Sequence, residues 1–166
     1  MKGERNAQVY QVGPHLFGTS STIPHWKTEE LIPSLKPFLL SLDTYKEKEL
    51  KIAFSLAIQP ESETQEEDHA KYRSLIEFEW ESATCRISVI PDTDSYLITI
   101  LAPNDPKEYT AYFFYGFTKG ILFLHATEAD AFVLNNILMM IYAFNTACSD
   151  TVLMHASVIK KDGKGY

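Results

Sequence analysis

The sequence predicts an α+β fold, an antiparallel β-meander packed on one long apolar helix, with a truncated C-terminal β-hairpin. Three observations lead there. Apolar and polar residues alternate with a period of two from Leu75 onward, which places successive side chains on opposite faces of a sheet. Pro, Asn, Asp and Gly clusters break that alternation at regular intervals, as turns between paired strands do. Beyond the last of these runs, Ala131 to Phe144 is apolar on most faces, the pattern of a helix covered nearly all round.

Taken in order, Gln8 to Phe17 is β-like around a Gly13-Pro14 break, and Pro14 predicts an edge strand or a bend because it lacks an amide donor. Pro24, Pro33 and Pro37 limit any helix between Trp26 and Phe38 to about two turns. Leu50 to Ile58 reads as a strand. Glu61, Glu63, Glu66, Glu67 and Asp68 then crowd a span without Lys or Arg, which predicts a solvated loop. It lacks the alternating oxygen ligands and central glycine of a calcium loop.

In the next strand Ile76, Phe78 and Trp80 share the face expected to cover the core, and Glu77, Glu79 and Glu81 share the wet one. Four consecutive strands follow: Thr84–Ile90, Tyr96–Ile100, Tyr109–Phe117 and Ile121–His125. Pro91-Asp92-Thr93-Asp94, Pro103-Asn104-Asp105-Pro106 and Thr118-Lys119-Gly120 are the expected turns. Thr127-Glu128-Ala129-Asp130 has the hydroxyl and acids of a helix N-terminus. After the helix, Val152 to Ile159 reads as a strand and Lys161-Asp162-Gly163-Lys164 as a tight reversal.

Composition narrows the function. The 166 residues are 45% hydrophobic and 13% aromatic, enough for a real core, and the net charge is -7. The last seven residues carry three lysines against one aspartate, so the rest is more acidic than the whole. An acidic body repels phosphate backbones and argues against nucleic-acid partners. The aromatic run Tyr109–Phe117 could suggest a base-stacking platform, but only Lys107 and Lys119 accompany it. The start Met1-Lys2-Gly3-Glu4-Arg5 leads into polar residues, unlike a signal peptide. Cys85 and Cys148 alone would be a sparse disulfide framework, so a reduced, cytoplasmic setting is expected. The 14 apolar residues Ala131–Phe144, interrupted by Asn135-Asn136, are too few to span roughly 30 Å of hydrocarbon at about 1.5 Å per residue, so no membrane partner is expected. The five histidines show no metal-ligand spacing with one another or with the cysteines, and no acid, base and nucleophile converge.

The C-terminal residues carry a resemblance. Val152-Leu153-Met154-His155-Ala156-Ser157-Val158-Ile159, followed by Asp162-Gly163-Lys164-Gly165-Tyr166, resembles the approach to the kinase core of the HPr kinase/phosphorylase-like family, in its bacterial branch related to phosphoenolpyruvate carboxykinase. There a strand bearing a His-Ala or His-Gly pair leads through a turn and a second strand into the phosphate loop. The match covers about fifteen residues; upstream, the layout and Pro37-Phe38 are similar more diffusely. Gly-x-x-x-x-Gly-Lys-Ser/Thr itself is absent, and Gly163-Lys164-Gly165 is too short to cradle a phosphate.

The resemblance implies an N-terminal α+β domain over 1–150 and the first strand and turn of a kinase-like core over 151–166. It implies a non-catalytic regulatory or substrate-binding role in an ATP-dependent phosphotransferase. No cofactor would sit in this chain; ATP and Mg would belong to the complete protein. His155 would then line the active site of that protein, where the same residue is otherwise an ordinary strand histidine. Partners would be the chain's own kinase-like core or a protein substrate, with a homo-oligomer a further option. The alternative is a free-standing protein-binding module whose exposed sheet face meets a partner.

Overall fold

The computed structural model describes residues 6–23, 26–41, 51–63, 71–80, 82–147, 160–161 and 164–165. Eight strands form one sheet: β1 (Asn6–Val12), β2 (His15–Ser21), β3 (Phe54–Pro60), β4 (Arg73–Trp80), β5 (Ala83–Val89), β6 (Tyr96–Leu101), β7 (Glu108–Phe114) and β8 (Lys119–Leu124). Their spatial order is β1-β2-β3-β8-β7-β6-β5-β4. A short helix α1 (Thr28–Leu31) and a 3-10 turn (Pro33–Phe38) follow β2, and a long helix α2 (Asp130–Thr146) follows β8.

This architecture corrects the expected fold. β4 to β8 do form an antiparallel meander, but the sheet does not stop there. β3 lies parallel to β8, and β2 parallel to β3, so an eight-stranded mixed sheet replaces the meander on a helix. Hairpins announce themselves locally by alternation and turn residues. The pairing of Ser55 with Lys119 joins segments 64 residues apart and leaves no such mark.

The N-terminal break is sharper than a bend. Gly13, at φ +57°, and Pro14 make the reversal of a tight hairpin between β1 and β2. Between β7 and β8 the reversal falls at residues 115–118, and Gly120 lies inside β8. Phe113 on β7 lies opposite it, and a Cβ at Gly120 would overlap that ring.

One sheet face and α2 enclose the main core. Tyr10, Phe54, Leu56, Ile58, Ile98, Tyr109, Phe113 and Leu122 meet Val133, Leu134, Ile137 and Ile141 there. Tyr142 ties the end of α2 to the first hairpin, its hydroxyl donating to the Val12 carbonyl at 3.0 Å. A smaller cluster of Leu97, Tyr112 and Phe123 occupies the opposite face. α2 is covered on the sheet side, while Phe144, packed against Phe117 at the margin of the core, is exposed and Phe132, Met139 and Met140 are half-buried.

Strand β4 departs from its expected burial. Its faces are as the alternation predicts: Phe78 packs against the main core and Glu77 lies outside. However, β4 is an edge strand at the margin of α2, so Trp80 stays 40% exposed and Ile76 52% exposed. Nor is the outer acidic row unpaired, because Arg86 on β5 donates to Glu77 at 2.7 Å.

Residues 160–165 show a two-residue pairing, Lys160–Lys161 against Lys164–Gly165, with Lys161 opposite Lys164. The expected Asp162-Gly163 turn lies outside the described residues.

Candidate functional site

The richest polar constellation lies where β6, β8 and β3 end and β7 begins. Antiparallel pairing brings the β6–β7 loop, with Asp105, beside the β8–α2 loop, with His125 and Thr127. The parallel β3–β8 pairing adds Glu61, one residue past the end of β3, next to His125. A cleft of about 420 Å³ opens between the two loops, lined by Asp105, Thr127, Glu128 and Phe132 among others.

Buried Tyr109 stands at the centre. Its hydroxyl lies 3.0 Å from Asp105, 2.5 Å from Thr127 and 3.1 Å from Asp130. Thr127 also donates to Asp105 at 2.9 Å and accepts from the Ala129 amide at 3.2 Å. Asp130, 6% exposed, reaches back from the first residue of α2 to accept from the amides of His125 and Ala126. The helix does start in this segment, at Asp130, with Thr127 accepting from the Ala129 amide; Asp130 binds amides of the preceding loop and does not cap the helix.

Two hydroxyl protons serve two carboxylates here, and the remaining lone pairs receive backbone amides. Burial, aided by those carboxylates, holds the Tyr109 phenol well above its ordinary range. The Lys107 amide, the largest influence, holds the Asp105 carboxyl below its ordinary value; burial, next in size, opposes it, and the Thr127 and Tyr109 hydroxyls add to the lowering. Such an arrangement stores no activated nucleophile. Its chemistry is that of a clasp joining two loops to a helix end.

A second pair flanks the clasp. His125, its side chain 6% exposed, sets Nδ1 2.7 Å from Glu61, and Lys107 reaches the same carboxylate at 3.3 Å. The Nδ1 contact lacks the alignment of a hydrogen bond, and it is an ion pair only when the ring is protonated. His125 and Lys107 together draw the Glu61 carboxyl below its ordinary value.

At the other margin, a narrow apolar notch between β4 and α2 is lined by Phe78, Trp80, Cys85, Phe132 and Met140. Asn136, 4% exposed, borders it; its Nδ2 donates to the Phe132 carbonyl, while its Oδ1 has no hydrogen-bond partner. Burial pushes the Cys85 thiol up to about 11, which leaves it protonated at neutral pH and a poor nucleophile.

Among the described residues no group of His, Cys, Asp and Glu is placed to hold a metal ion. His155, together with Ser157 and the rest of the strand on which the family resemblance rests, lies outside the described residues. Asp105, Tyr109, His125 and Glu61 escaped the sequence reading as a group, since up to 64 residues separate them. The one local signal was Thr127-Glu128-Ala129-Asp130. No helix among the described residues is long and apolar enough to cross a membrane. No family model matches the chain, and no match was found among curated proteins or solved structures.

Proposed function

We propose that the chain acts as the non-catalytic N-terminal part of an HPr kinase-like, ATP-dependent phosphotransferase of the cytoplasm, binding a protein substrate or covering the kinase-like core. The observation that carries this reading is the pairing of Lys161 with Lys164, which supports the strand-turn-strand expected from the resemblance. The clasp around Tyr109 is consistent with a non-catalytic role, because its acids and hydroxyls are engaged with one another. ATP and Mg would bind in the core, and His155 would face the transferred phosphoryl group there.

A second reading, a free-standing protein-binding module, draws on the apolar edge of β4, where Leu75, Ile76 and Trp80 are exposed, Trp80 at the notch that Asn136 also lines. One experiment separates the two. The coding sequence beyond Tyr166 is read, and calorimetric titrations with Mg·ATP are run on this chain and on the longer product. The kinase-domain reading expects binding by the longer product only, with a Gly-rich loop ending in Gly-Lys-Ser/Thr within about 15 residues. A stop codon or an unrelated domain transfers support to the module.

In the longer protein, His155→Ala should slow phosphoryl transfer about ten-fold or more, on the order of 1.4 kcal/mol in barrier, with ATP affinity nearly kept. Unchanged turnover per folded molecule would remove His155 from the site.

A further inference from the structure

At the end of the sheet opposite the clasp, three parallel strands begin side by side. β2 opens with His15, β3 is preceded by Lys51, and β8 opens with Lys119. Backbone hydrogen bonds hold the starts together: the Ala53 amide donates to the Leu16 carbonyl at 2.8 Å, and the Ser55 amide to Thr118 at 2.9 Å. A cleft of about 610 Å³ lies over them, lined chiefly by His15, Lys51, Ser55, Thr118, Lys119 and Asn145.

The lining charge runs against that of the molecule. In a chain of net charge -7, the described residues of this lining include two lysines and a histidine, and no acid is among them. No ion pair joins Lys51 or Lys119 to a carboxylate among the described residues, and Lys119 instead sits 5.5 Å over the Tyr115 ring. Cations gathered around a concave cleft raise the local potential for an entering anion, an effect that salt screens because both lysines are exposed. Ser55 adds a hydroxyl able to donate to the oxygens of an anion, whereas the Thr118 hydroxyl already donates to the Tyr115 carbonyl at 2.9 Å.

We propose that this cleft binds a small phosphorylated molecule, with Lys51 and Lys119 on the phosphoryl oxygens. The volume favours a phosphomonoester over phosphate alone, because it falls within the roughly 300–1,000 Å³ of small-molecule sites. The competing role for the lysines is to offset the negative end of α2, which terminates beside the cleft at Thr146. The site is separate from the clasp and does not depend on the kinase-domain reading.

The test titrates this chain with inorganic phosphate and with glycerol 3-phosphate, against sodium chloride at matched ionic strength. Binding is followed by calorimetry and by amide chemical shifts at residues 51–55 and 118–119. Saturable binding is expected at about 0.1–1 mM, tighter for the phosphomonoester, with Lys51→Gln and Lys119→Gln each weakening it about ten-fold. Both lysines are exposed, so the variants should fold as the parent does. Lack of saturation by either anion overturns the proposal. So does a double variant that binds like the parent. Variants that lose thermal stability while neither they nor the parent binds would assign the lysines to the helix end and overturn it equally.

Discussion

Tyr109 joins the sheet, the β6–β7 loop and the start of α2 through one hydroxyl. Its single proton serves one carboxylate at a time, and removing the oxygen takes that donor from the pair of Asp105 and buried Asp130, so Tyr109→Phe should cost about 1–3 kcal/mol by denaturant titration. A midpoint equal to that of the parent would mean water replaces the phenol without loss. The flanking carboxylates set a pH dependence. Asp105 and Glu61 have folded-state values below their unfolded ones. Each therefore contributes stability that is present above the ordinary carboxylate range, near pH 4, and is lost as pH falls through the lowered folded value. Thermal midpoints measured from pH 6 downward should begin to fall near that range, and Asp105→Asn should flatten part of the fall. A parallel curve for the variant would dissociate Asp105 from the acid response.

Strand position decides what a large side chain is worth. Trp80 belongs to the face that meets the core but sits at the sheet margin. Ile98, fully buried at the centre of the meander, should cost about 2–5 kcal/mol as Ala, and Trp80→Ala clearly less, about 1–2 kcal/mol. Denaturation midpoints in the reverse order would show that the β4 edge is covered in solution. Gly120→Ala should cost about 1–3 kcal/mol, since its methyl would meet the Phe113 ring. Phe113→Leu in the same chain should return part of the loss, and a strictly additive double variant would contradict the contact. These elements also show where sequence reading ends. Alternation at Ile76–Trp80 reveals faces but not whether a strand is central or marginal, because an edge is defined by neighbours distant in sequence. The meander and α2 were legible because hairpins and helices carry their periods locally. The β3–β8 pairing was not, and so neither was the meeting of Glu61 with His125 or of Lys51 with Lys119.

For the molecule as a whole, the mixed sheet sets an order of stability. β3, β8 and β7 have strand neighbours on both sides, whereas β1 and β4 are the margins. Native-state hydrogen exchange should find the amides of Leu56, Ile58, Leu122 and Phe113 near the global limit and those of β4 opening first. Equal protection in β4 would point to an added strand at its edge. The parallel seam has a further effect during synthesis. β3 is complete at Pro60, but its partner β8 is finished only at Leu124. A ribosome adding about 5–20 residues per second takes roughly three to thirteen seconds to cover that distance. Over that interval Phe54, Leu56 and Ile58 wait on a strand flanked by β2 alone, with the other edge open to any passing chain. A nascent-chain chaperone would have its longest opportunity there, on a strand whose Phe54, Leu56 and Ile58 the finished domain buries.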